Sequence, residues 1–171
     1  MSTSEMTPEQ RKMVLISQIV VASLVAGCLF FLLVVVFVGR DKLGTWELRP
    51  NQQPMTVLAL VVAVSLLAMR IIVPRIITGQ MLRALFQRES ADPSWKDVFC
   101  VYQTTLIIKA AMIEGAIFLL LVMHLIEHSP WSLAAAVVFL AILLLHMPTP
   151  QRADNWIERQ SQKQREESFI R

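Results

Sequence analysis

The chain has 171 residues, 55% of them hydrophobic, with 16 Lys or Arg against 13 Asp or Glu and only 5 glycines. A soluble domain of this length has no use for so much apolar surface, and a mean hydropathy of +0.55 points to residence in a membrane. The net charge of +3 does not indicate nucleic acid, because the basic residues fall in connections and tails and not on an aromatic-interleaved face that stacks bases.

In chain order, "TPEQ" sets Thr7 as an N-cap, Pro8 at the first helical position and Gln10 three residues after the cap. A helix is predicted to start there and run to about Val38, with its uncharged stretch from Met13 to Val38 long enough to cross a bilayer. "VAGC", Val25 to Cys28, resembles a bacterial lipoprotein box. The apolar run continues past the cysteine as "LFFLLVVVFVG", so a retained span is expected. Cys28 and Cys100 form no CxxC pair, which argues against a thiol oxidoreductase.

The following loop holds Gly39, Gly44, Pro50 and Pro54 as breakers, with Trp46 suited to a membrane–water interface. A second span is expected over Met55 to Val73. After it, "RIITGQMLRALFQRESADPSWKD" places Ile76, Ile77, Met81, Leu82, Leu85 and Phe86 against Arg75, Arg83 and Arg88 at helical spacing. Two forms fit this connection: an amphipathic helix lying on the membrane, or a cytoplasmic continuation of span 2. Ser94 and Asp97 then resemble a second cap, so helix 3 is predicted from near Trp95 to about Glu127, with its span over Thr105 to Ile126. The fourth and weakest span is Trp131 to Met147. In the tail, Thr149 and Pro150 start a short polar helix of mixed charge, read as a solvated element or docking handle.

The predicted fold class is an all-α membrane protein. Four transmembrane helices, at about 13–38, 55–73, 105–126 and 131–147, form a bundle within a single integral domain covering 1–171. A cytoplasmic amphipathic connection joins helices 2 and 3, and the tail, 148–171, is cytoplasmic. Orientation follows from Lys and Arg: two at the N-terminus, five between Arg70 and Lys96 and five in the tail, against three in the first loop and none in the "EHSPW" turn. The positive-inside bias puts both termini and the middle connection in the cytoplasm, facing anionic lipid headgroups.

Glu114 is the anomaly in the third span. About 12 Å into the hydrocarbon, a lone charge costs on the order of 2.5 kcal/mol or more, so it must be protonated, paired or facing water. Ala110, Ala111 and Gly115 flank it, and Ala111 with Gly115 forms a small-xxx-small pattern that lets another helix approach. Glu114 is therefore expected in a helix interface. Arg70, near the cytoplasmic end of span 2, is the expected partner. Lys109 is the competitor, but five residues along a helix is roughly 140° round.

"HLIEH" matches the HxxEH pattern of inverted zinc peptidases, in which His124 and His128 would bind the metal and Glu127 would be the base. The later carboxylates, Asp154, Glu158, Glu166 and Glu167, lie across the membrane in this topology, so no metal is expected. The same separation keeps His124 and His146 from sharing a haem. No cofactor and no catalytic constellation is read.

"AAMIEGAIFLL" resembles the carboxylate-bearing helix of rotary ATP synthase ring subunits, without the glycine-repeat partner helix. The general plan also resembles small multidrug-resistance transporters, which carry their glutamate in the first span and not the third. As a whole, the chain resembles the small four-span proteins of bacterial inner membranes in architecture alone. The first expectation is a non-enzymatic accessory or scaffold component acting through helix–helix contacts, with a homo-oligomer or another membrane protein as partner. The alternative is a small proton- or ion-coupled transporter, a homodimer using Glu114 with Arg70 as counter-charge.

Overall fold

A computed structural model describes residues 7–39, 54–88, 95–145, 147–149, 151–153, 155–157, 159 and 162. Among these residues the main helices are α1 (Pro8–Val38), α2 (Pro54–Arg88), α3 (Trp95–Glu127) and α4 (Pro130–Leu145). The expected placements of Gly44, Trp46, Pro50, Ser94 and His146 lie outside the described residues, as do those of Asp154, Glu158, Glu166 and Glu167.

Helix starts follow the local chemistry. At α1, Pro8 occupies the first turn, where its missing N–H costs nothing, and the Arg11 N–H donates to the Thr7 carbonyl at 3.1 Å. Pro54 and Pro130 open α2 and α4 in the same way. α3 ends at Glu127, and the next residue, His128, takes a φ of 53°, the left-handed stop that glycine usually supplies.

α1, α2 and α3 are each long and apolar enough to cross a membrane. α4, at 16 residues, is shorter; it extends about 24 Å, less than a typical 30 Å hydrocarbon core. Large apolar residues stand exposed along α1 (Ile19, Phe30, Leu33, Phe37) and α2 (Leu58, Val61, Val64, Ile72), as a lipid-facing surface requires. Several hydroxyls within the helices are satisfied internally: Ser17 donates to the Met13 carbonyl, Ser65 to Val61 and Thr104 to Cys100.

The connection after span 2 is not a separate surface helix. α2 runs unbroken through the buried Pro74 to Arg88, so the continuation form is the one found. Pro74 has no N–H for the carbonyl four residues earlier, that of Arg70, yet the flanking hydrogen bonds carry the helix across. Thr78 of α2 and Thr105 of α3 share a hydroxyl–hydroxyl bond of 2.8 Å, which pins this lower part of α2 to α3.

α3 is the central helix and packs against all three others. α4 also touches both α1 and α2, whereas α1 and α2 form no substantial interface. The main core joins Val25, Cys28 and Val35, Ala59 and Ala63, Ile113, Ile117, Leu120 and Leu121, and Phe139, Leu140 and Leu143. Between helices in lipid, close van der Waals contact and not water exclusion holds such a core, so Ala59, Ala63, Ala116 and Ala136 serve by permitting approach.

A second core caps the other end. Val14 of α1 and Val98, Phe99 and Tyr102 of α3 enclose Ala153 and Ile157 of the tail. Trp95, Phe99, Tyr102 and Trp156 form an aromatic chain with centroid spacings of 4.8, 5.8 and 5.3 Å. The tail segment is thus docked, not simply solvated: its apolar Ala153, Trp156 and Ile157 share one helical face in a stretch flanked by charged residues.

Candidate functional site

Three groups of polar residues interrupt the apolar bundle. The first is "HLIEH", at the α3–α4 turn. Both Glu127 oxygens are engaged, accepting the Met55 N–H at 3.0 Å and the Thr56 N–H at 2.7 Å. These are among the first free donors of α2, so Glu127 caps that helix from another part of the chain. His124 is buried, with Nδ1 donating to the Ser129 carbonyl at 2.7 Å, and Ser132 donates to the same carbonyl at 2.8 Å. His124 and His128 meet edge to face at 6.5 Å. Among the described residues, no group of three or more His, Cys, Asp or Glu is arranged to hold a metal. His124, Glu127 and His128 each make a structural contact at this turn.

The second group centres on Glu114, which corrects the expected pairing. Its Oε1 lies 4.0 Å from where a Cβ on Gly27 would stand, beside Cys28 of α1. Among the described residues, no ion pair joins it to Arg70, and no hydrogen bond reaches it. The reason is helical phase. Arg70 faces the side of α3 that carries Lys109, Ala110 and Ile113, and the roughly 140° between Lys109 and Glu114 turns Glu114 toward α1.

The flanking small residues divide likewise. Ala110 is buried, as expected, but Ala111 and Gly115 are exposed, and a Cβ on Gly115 would meet nothing within 4 Å. Among the described residues, neither is a packing position. Both lie roughly 200° from the buried Ile113, on the side of α3 left open where α1 and α2 fail to meet. Cys100, Val122 and Ile126 are exposed along the same helix.

The third group is a cavity of about 200 Å³ bordered by α1, α2, α3, the end of α4 and the tail. Arg70 and Lys109 line it together, an association the sequence reading assigned instead to Glu114. Arg152, Tyr102 and Trp156, not among the residues the sequence pattern singles out, also line it. Arg152 arrives because Thr149 starts the tail helix: the Arg152 N–H donates to the Thr149 carbonyl at 3.1 Å and lies 3.4 Å from its hydroxyl. One arm of the guanidinium, Nη1, donates to the Leu145 carbonyl at the end of α4, 3.1 Å away. Gln18 of α1 ties down the same junction by donating to the Pro148 carbonyl at 3.0 Å. The only signal for this in the sequence was the Thr149 cap with an arginine three residues on.

Comparison with family models, curated proteins and solved structures found no match to this chain.

Proposed function

We propose that this protein is a non-enzymatic, four-span component of a bacterial inner membrane, with both termini cytoplasmic, that acts as an accessory or scaffold subunit through helix–helix contacts. The observation that supports this reading is the open face of α3. Ala111 and Gly115 stand there exposed, with the exposed apolar surfaces of α1 and α2 elsewhere on the bundle. Small residues at this spacing let a second helix come close enough for backbone-level packing in lipid. The docked tail and the basic residues at the same end would then face anionic headgroups and the cytoplasm.

The proton-coupled reading needs a hydrated path to Glu114. The basic cavity does not include Glu114 among its lining residues, which favours the scaffold. Sedimentation or light scattering in detergent, with resonance energy transfer between labelled copies in vesicles, tests the reading. An assembly larger than the 19.4 kDa chain should form, and Gly115→Leu should dissociate it. A Gly115→Leu protein that assembles as the wild type does would refute it.

A further inference from the structure

We propose that the cavity bordered by Arg70, Lys109 and Arg152 is a binding site for a phosphate group, presented by an amphiphile whose apolar part lies against the bundle. Three cations from three separate elements, α2, α3 and the tail, converge on one cavity of about 200 Å³. None of the described residues lining it carries a carboxylate. Arg70, and then Arg75 just beyond the cavity, add to the positive field at Lys109.

Arginine is the side chain suited to that counter-charge, because its planar fork donates two parallel hydrogen bonds to phosphate oxygens. Arg152 is already oriented by its bond to the Leu145 carbonyl, which uses one nitrogen and leaves others to donate. The cavity is far larger than the ~15 Å³ that admits one water. Its remaining walls are apolar or aromatic, including Leu106, Ile113 and Trp156. A basic mouth above an apolar wall fits a group that is anionic at one end and hydrocarbon at the other. This site is separate from the open face of α3, and it stands whether or not the scaffold reading does.

The test is native mass spectrometry of the full chain in detergent. It is titrated with phosphatidic acid, with phosphatidylcholine of the same acyl chains, with a short-chain phosphatidic acid, and with inorganic phosphate as competitor. One phosphatidic acid per chain is expected, bound at least about tenfold more tightly than phosphatidylcholine. Arg70→Gln and Lys109→Gln should each weaken it by about tenfold, while Arg83→Gln, exposed on α2, leaves it unchanged. If Arg70→Gln fails to fold, Arg152→Gln and the charge-retaining Arg70→Lys carry the comparison, with Arg70→Lys expected to bind more weakly than the wild type because it keeps the charge and loses the fork. Displacement by inorganic phosphate would identify a free phosphate as sufficient. Displacement by the short-chain lipid alone would identify the lipid headgroup. Equal affinity for the two long-chain lipids, or an Arg83→Gln loss as large as that of Lys109→Gln, would overturn the proposal in favour of diffuse attraction to lipid.

Discussion

Glu127, the last residue of α3, holds the Thr56 N–H in the first turn of α2 at 2.7 Å and that of Met55 at 3.0 Å. One carboxylate thereby closes the end of one helix onto the start of its neighbour. Glu127→Ala is expected to lower stability by about 1–2 kcal/mol, as loss of a helix cap does, with Glu127→Gln intermediate. Unfolding titrations in mixed micelles measure this. Zinc should leave both the wild type and the variant unshifted, because the carboxylate serves the helix and not a metal.

Glu114 behaves oppositely. With no cation against it among the described residues, Glu114→Gln is expected to be neutral or slightly stabilising. Removing one partner of a buried ion pair would cost about 3–5 kcal/mol. Thermal unfolding of the Arg70→Gln, Glu114→Gln and double variants forms a cycle whose coupling energy should be near zero. A coupling above ~1 kcal/mol would restore the clasp between helices 2 and 3.

At the other end of the bundle, Glu9 of α1 pairs with Lys96 of α3 at 2.9 Å. The hydrogen bond from Lys96, and then its charge, hold the Glu9 carboxyl below its ordinary value of 4.5. Its contribution is therefore present above about pH 4.5 and is lost as pH falls through the lowered folded value. Both side chains are exposed, so the effect is small and screened by salt. NMR titration of Glu9 should show its midpoint rise toward the ordinary value in Lys96→Gln.

The tail should be protected by its aromatic contacts. Trp156→Ala removes the 5.3 Å contact with Tyr102 and opens the second core. A loss of about 2–3 kcal/mol in tail docking is expected, below the ~3–5 kcal/mol for a fully buried aromatic because Trp156 is only half-buried. Limited proteolysis should then clip the tail while the membrane bundle stays intact. Equal protease resistance in wild type and variant would count against docking.

His128→Gly should raise stability by up to about 1 kcal/mol, less what the His124 ring contact contributes, since glycine adopts the left-handed φ without strain. Calorimetry in detergent checks the direction.

Much of the helical framework was legible in the residues. The caps at Thr7 and Pro8, the apolar lengths, and the limits of α3 at Trp95 and Glu127 are local properties of the chain. Apolar length and internal hydrogen bonding decide them without reference to neighbours. Three helices able to cross a membrane follow from the same local terms. Partner choice does not. Glu114, Ala110, Ala111 and Gly115 are adjacent in sequence, yet one turns to α1, one is buried and two are open, because 100° per residue converts adjacency into divergence.

Only the packing of α3 between the other helices determined that Arg70 lines a cavity with Lys109 and Arg152 in place of Glu114. That depends on the order of helices around the bundle, which no residue spacing encodes. Hydrophobic periodicity cannot supply it either, since helices that expose one apolar face to lipid and another to protein show little amphipathic contrast. Residue chemistry alone therefore determined which segments are helical and suited to a membrane. Tertiary contact alone decided that, among the described residues, the half-buried Glu114 stands without Arg70 and that three cations share one cavity.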